Sequence, residues 1–244
     1  MENTLLGEQK IVKKVIISGA SSGIGFETAL ELAIGGHEVI ALARSADKLA
    51  NLQQIVLGLS PEAKIYPLVF DIVSGNYDDL QVIIAKIWGG FDVLINNAGE
   101  LINKPFVDTD VEDFANMYES NVLGHINMVK NVYGLMHKKA HIVNIGSMGG
   151  FAGSAKFGGL SAYSVSKAAL HCLTECLAEE LAAFEIRVNC LALGAAQTEM
   201  LEKAFPGFEA PVMAYEMGKY IADFALNGHK FYNGKILPVA GNGL

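Results

Sequence analysis

Short apolar runs alternate with longer segments of helical period along the whole chain. Val15-Ile-Ile17 precedes a helix-like stretch from Ile24 to Ile34, and Glu38–Ala43 precedes Ala46–Leu57. Lys64–Phe70 leads into an amphipathic stretch from Tyr77 to Trp88. Asp92–Ile95 leads into a long helical region from about Val111 to His137. His141–Ile145, Ser161–Phe184, Arg187–Leu191, Val212–Leu226 and Lys235–Val239 continue the alternation. The short runs are continuously apolar, as strands are when helices cover both faces of their sheet. Seven such strands with helical crossovers predict an α/β fold: a doubly wound sheet of about seven parallel strands in one domain over residues 1–244. In such a sheet, ligands sit beyond the carboxyl ends of the strands, at the switch point of strand order.

Composition narrows this picture. Half the residues are hydrophobic, enough for a large core, and the net charge is −8 from 18 basic and 26 acidic side chains. No basic run interleaved with aromatics points to nucleic acid. No apolar run approaches the ~18 residues that would span a bilayer. Residues 1–12 form a polar lead-in without the pattern of a signal peptide. Cys172, Cys176 and Cys190 are odd in number and lie among apolar residues, so they are expected to be buried, reduced thiols suited to the cytoplasm. A metal at Cys172 and Cys176 would need more ligands than lie nearby, and no metal is expected.

The first strand runs straight into Ser18-Gly-Ala-Ser-Ser-Gly-Ile-Gly25 and then a helix. Gly19, Gly23 and Gly25 permit a tight turn, and with Ser21, Ser22 and Ile24 they form a cradle for a pyrophosphate at a helix N-terminus. At the end of the second strand no acid stands ready for a ribose 2′-hydroxyl. Arg44 is placed to fork onto a 2′-phosphate, so NADP(H) is favoured and NAD(H) remains possible. Ser22 supplies no second positive charge within the turn, and Asp47 already lies in the following helix.

Tyr163 and Lys167 stand four residues apart, on one face if the segment is helical. A neighbouring ammonium favours a phenolate, which allows acid/base chemistry on an alcohol or ketone near neutral pH. Together with the glycine turn, these residues resemble the short-chain dehydrogenase/reductase family in its classical form, a Rossmann-like fold, over nearly the whole chain. Asn96-Asn-Ala-Gly99 matches the family signature, and Asn97, Ala98 and Gly99 would wall the adenine ribose. Asp71 and Ile72 match the adenine contacts. Asn121, Ser147, Tyr163 and Lys167 match the catalytic residues, with Tyr163 and Lys167 also holding cofactor. The resemblance implies that Tyr163 exchanges a proton with the substrate oxygen while Ser147 hydrogen-bonds it. It implies that Lys167 lowers the Tyr163 pKa and holds the nicotinamide ribose, and that Asn121 anchors a water behind Lys167. Gly194 and Thr198 would meet the nicotinamide.

The departures from the family pattern concern the mouth of the site. The segment between Ser147 and Tyr163 is a few residues longer than usual and brings in Ser154 as a rival to Ser147. Leu193 replaces the usual Pro before Gly194. Residues 199–211 make a short substrate lid. Met148, Phe151, Leu193, Met200, Leu201 and Phe205 suggest a small-molecule carbonyl or alcohol with an apolar body. A homodimer or homotetramer is implied, through the small, apolar helix that carries Tyr163. Two other readings stay open: a silent cofactor-binding regulator, and an NAD-dependent epimerase or dehydratase, which would need a larger C-terminal region.

Overall fold

The computed structural model describes residues 11–240, so most of the lead-in and the tail end 241–244 lie outside the described residues. The first half reads β1 (Lys14–Ser18), α1 (Gly23–Ile34), β2 (Glu38–Ala43), α2 (Ala46–Leu59), β3 (Lys64–Val69), α3 (Tyr77–Trp88) and β4 (Phe91–Asn96). There follow α4 (Val111–Tyr118), a π-helical turn (Glu119–Leu123), α5 (Gly124–Val132), β5 (Met136–Ser147), α6 (Ser161–Glu180) and β6 (Arg187–Leu193). β7 (Ala196–Gln197), α7 (Glu199–Ala204), β8 (Val212–Met213), α8 (Ala214–Asn227) and β9 (Ile236–Val239) complete the described chain.

The main sheet has seven strands in the order β3-β2-β1-β4-β5-β6-β9, every pair parallel. Successive side chains of a strand point to opposite faces, and here both faces are covered. Val15 and Ile17 enter one core with Ala29 and Leu32 of α1, Leu49 and Leu52 of α2, and Ile221 of α8. Ile16 enters the other with Leu80 and Ile84 of α3, Met128 of α5 and Ala178 of α6. That is why the strands read as unbroken apolar runs. The order reverses between β1 and β4, so the cleft for a ligand opens beyond the ends of those two strands.

Three expectations need correction. The helical region expected over 111–137 ends at Val132, and β5 already begins at Met136, which pairs with Phe91. His137, Lys138 and Lys139 are exposed, so that part of the strand carries no buried pattern to announce it. Val212 does not start a helix; it pairs with Ala196 in a two-residue parallel ladder too short to leave a periodic signal. Of the thiols, only Cys190 is buried, while Cys172 and Cys176 are exposed. They stand four residues apart on the outer face of α6, whose inner face carries the buried Leu170, Thr174 and Ala178.

Candidate active site

The glycine turn is shaped by its neighbours across the switch point. Gly19 has φ +71°, a left-handed conformation open to glycine, and a Cβ there would meet Ala98 Cα at 2.7 Å. A Cβ on Gly25 would run into Asn97 Nδ2 and the Gly19 carbonyl oxygen. Asn97 Nδ2 donates to the carbonyl oxygens of Ser18 and Gly19, both at 3.1 Å. Ser18 Oγ in turn accepts from the backbone N–H groups of Asn97 and Ala98, each 3.1 Å away. The ends of β1 and β4 are thus laced together by side chains.

α2, α3 and α4 begin with side-chain caps from Ser45, Asn76 and Asp110. α1 begins at Ser22 with no side-chain cap bond, as α6 does at Leu160. A tight glycine turn, a close backbone approach and a helix N-terminus without a side-chain cap fit the pyrophosphate of a dinucleotide.

Further along the strand ends, Asp71 Oδ1 accepts from the Val73 N–H at 2.8 Å, and Ile72 is buried in the core under α3. A cavity of about 570 Å³ opens beside Arg44 and Asp71, lined also by Leu68, Phe70 and Leu80. It reaches neither the glycine turn nor Tyr163. Arg44 Nη2 donates to Glu100 Oε1 at 3.0 Å, across the tips of β2 and β4.

Asn121 lies in the π-helical turn between α4 and α5 and is fully buried. Such turns inside helices frequently mark functional sites. Its Oδ1 accepts from the Glu100 N–H at 2.8 Å, and its Nδ2 donates to the Glu100 carbonyl oxygen and to Ser166 Oγ, each at 3.0 Å. Ser166 Oγ donates to the Tyr163 carbonyl oxygen at 2.7 Å. One amide therefore ties the loop after β4 to the helix carrying Tyr163. Gly99 completes the contact: a Cβ there would sit 2.7 Å from Asn121 Oδ1 and 3.5 Å from Lys167 Nζ.

Tyr163 and Lys167 share the first turns of α6, and Lys167 Nζ lies 5.9 Å from the Tyr163 ring centroid. Lys167 is buried and donates to the Ile145 carbonyl oxygen at 2.8 Å. Burial lowers its pKa to about 8. The Tyr163 phenol moves the other way: burial raises its pKa, and a hydrogen bond with Ser147 pulls against that rise. The net shift is upward, opposite to the depression expected from Lys167, because desolvation disfavours the phenolate more strongly than the Ser147 bond favours it. Ser147 ends β5, and its Oγ accepts from the Gly149 N–H at 3.1 Å. Ser154 is engaged elsewhere, its Oγ bound to the carbonyl oxygens of Met148 and Phe151 and to Lys156 Nζ. Of the two serines, Ser147 is the one that meets Tyr163.

Around the mouth, Thr198 Oγ1 caps α7 by accepting from the Leu201 N–H at 3.2 Å, while its methyl group faces Gly23. Leu193 continues β6 to its last residue, paired between Ser147 and Val239, and it is buried in the core. Gly194 follows with its N–H donating to the Val239 carbonyl oxygen at 2.7 Å. The Phe151 ring packs edge-on against His171, 6.4 Å between centroids, so the long loop folds back onto α6. Met200 is exposed, while Met148, Leu201 and Phe205 are half-buried. Asn103 Nδ2 donates to the Ala204 carbonyl oxygen at 2.8 Å and joins the loop after β4 to α7.

Beyond the motif residue Asn96, several residues of this region were not singled out from sequence. Asn96 donates to Asn144 and Asn144 to Thr174, both at 2.9 Å, a buried chain joining β4, β5 and α6. His125 and His171 are buried one turn beyond Asn121 and Lys167. Desolvation, and secondarily the Lys167 charge, hold their pKa values down at about 3 and about 4. The spacing of four was their only sequence signal. Ser166 and Glu100 adjoin motif residues but carry no spacing signal of their own. Among the described residues, no group of three or more His, Cys, Asp or Glu side chains could hold a metal ion.

This arrangement has close counterparts. The short chain dehydrogenase family model matches residues 13–207, and the chain belongs to that family. A 3-oxoacyl-(acyl-carrier-protein) reductase of Thermotoga maritima is 34% identical over 196 residues, 78% of this chain and 77% of its own. An uncharacterized oxidoreductase of Staphylococcus epidermidis is 29% identical over 196 residues, 79% of this chain and 82% of its own. Among solved structures, a short-chain dehydrogenase/reductase from Mycobacterium marinum superposes with a TM-score of 0.83 at 26% identity, covering 94% of each chain. The L-sorbose reductase of Gluconobacter frateurii, solved with NADPH and L-sorbose, shares the fold at TM-score 0.82 and 22% identity, covering 96% of this chain and 98% of its own. The protein is an oxidoreductase of a family that uses NAD(P)(H) and typically acts on small carbonyl and alcohol compounds. Among the described residues no helix is long and apolar enough to cross a membrane.

Proposed function

We propose that this chain is an NADP(H)-dependent carbonyl reductase whose proton donor is Tyr163. The observation that carries this reading is the grouping of Tyr163 with Lys167, 5.9 Å from its ring centroid, and with Ser147, which hydrogen-bonds the phenol. Burial raises its pKa, so at neutral pH Tyr163 keeps its proton and can give it to a carbonyl oxygen.

Ser147 hydrogen-bonds the substrate oxygen as negative charge grows on it. Lys167, held to the Ile145 carbonyl, keeps an ammonium beside the phenol and the nicotinamide ribose. Asn121 holds the loop after β4 against α6 and sets the geometry behind Lys167. Gly19, Ser21, Ser22, Gly23, Ile24 and Gly25 take the pyrophosphate. Asp71 and Ile72 take the adenine, and Asn97, Ala98 and Gly99 its ribose. Gly194 and Thr198 lie toward the nicotinamide. When bound, the nicotinamide supplies the hydride.

Arg44 at the tip of β2 supports NADP(H) over NAD(H). The half-buried Met148, Leu201 and Phe205 support a substrate with an apolar body. The relative named as a 3-oxoacyl-(acyl-carrier-protein) reductase is in keeping with ketone reduction. The outer face of α6 supports a homodimer or homotetramer, and the unpaired thiols suit the cytoplasm. One domain carries both cofactor and substrate groups.

The test is a panel of ketones and aldehydes with NADPH and NADH. Tyr163→Phe should abolish NADPH oxidation wherever wild type is active, while cofactor binding survives. Retained turnover would remove Tyr163 from the role.

A further inference from the structure

The Arg44–Glu100 ion pair bears on which cofactor the cleft accepts. A doubly wound sheet binds the adenosine ribose at the tip of β2, and that tip is Arg44. Sequence places no acid there, but the fold does. Glu100 leaves the end of β4 and brings its carboxylate to 3.0 Å from the Arg44 guanidinium. Its backbone is clamped on both sides by Asn121, through the N–H and the carbonyl oxygen. The base of the Glu100 side chain is therefore fixed, and only its carboxylate end can turn away.

We propose that Glu100 is a cofactor-specificity residue that draws the site toward NAD(H). It rests on the reading that a nicotinamide dinucleotide occupies this cleft. A 2′-phosphate must share the Arg44 guanidinium with Glu100 or displace it, and in either case the carboxylate remains beside a second anion. A free 2′-hydroxyl has no such contest and finds in Glu100 an acceptor of the kind that reads NAD(H) ribose. Arg44 alone would make a strongly NADP(H)-selective site. Arg44 with Glu100 makes a weakly selective one.

The side chains are 69% and 44% exposed, so solvent screens the pair and its influence is moderate. Dissociation constants for NADPH and NADH, measured by calorimetry on the full chain, test this without turnover. Glu100→Gln keeps the shape and removes the charge. It should tighten NADPH by about two- to fivefold and weaken NADH, moving the ratio of the two constants toward NADPH. In an Arg44→Ala background the gain for NADPH should shrink, since the carboxylate then has no cation to withhold and only its repulsion of the phosphate remains. An unchanged ratio in Glu100→Gln, or a gain that persists undiminished without Arg44, would overturn the proposal. Should Glu100→Gln prove unstable, Glu100→Ala gives the same readout. Wild type that binds neither cofactor would instead refute the underlying reading, and Arg44→Ala with an unchanged ratio would refute the role of Arg44.

Discussion

Lys167 Nζ donates to the Ile145 carbonyl oxygen, 2.8 Å away, and so fastens the middle of the proposed proton relay to β5 two residues before that strand ends. The bond offsets part of the cost of taking the ammonium out of water.

That burial has a pH signature. The Lys167 pKa falls to about 8 in the fold, against ~10.4 in an unfolded chain. Between these values the unfolded state binds the extra proton, so Lys167 contributes stability that grows as pH rises from about 8 to about 10. Cys190 works in the opposite direction, because burial raises its pKa to about 12. The informative quantity is therefore the difference between wild type and Lys167→Met in urea midpoints from pH 7.5 to 10. Wild type should gain relative to the variant across that range. A difference that stays flat would contradict the buried ammonium.

The acid side belongs to histidine. Burial holds His125 at about 3, and His141 and His171 at about 4. An unfolded chain protonates each near ~6.5. Stability should be complete above that value and fall as pH drops through 6 and 5, each imidazole adding up to about 1.4 kcal/mol per pH unit. Chemical denaturation at pH 7, 6 and 5 measures it. Equal stability at all three would mean that these rings are not buried neutral.

Ser147→Ala should lower turnover by about 10²- to 10³-fold with cofactor affinity little changed, the loss usual for one donor to a developing oxyanion. Ser154→Ala should cost far less, since that hydroxyl faces its own loop. Steady-state kinetics on one substrate compare the two. A reversed order of effects would reassign the serine.

Gly25→Ala puts a methyl group into Asn97 Nδ2 and the Gly19 carbonyl. Overpacking of this kind costs about 1–3 kcal/mol, and here it also spreads the cradle, so both thermal stability and NADPH affinity should drop. Gly58→Ala is the control. Its Cβ would meet nothing within 4 Å, inside α2, so it should be neutral or stabilise by up to about 1 kcal/mol. Calorimetric scans and cofactor titration read both variants.

The seven strands of the main sheet were legible because Ile16 and Ile17 face opposite cores, and both cores are apolar. Tyr163, Lys167 and the glycine turn were legible because helical spacing and strand–turn–helix context are local. The start of β5 at Met136 was not, since an exposed strand segment carries no burial pattern. The two-residue pairing of Ala196 with Val212 was too short to register. The exposure of Cys172 and Cys176 depended on which face of α6 met the sheet, and composition carries no sense of direction.

By itself, the sequence determined the layers, the cradle at Gly19–Gly25 and the residue types for proton chemistry, since each is written within one turn or one strand. Only the tertiary structure decided how those parts act on one another. It turned Ser154 away and Ser147 toward the phenol, raised the phenol's pKa by desolvation, and set Glu100 against Arg44 across 56 positions of chain. Desolvation and ion pairing depend on what surrounds a side chain in space, and residues distant in sequence supply those surroundings.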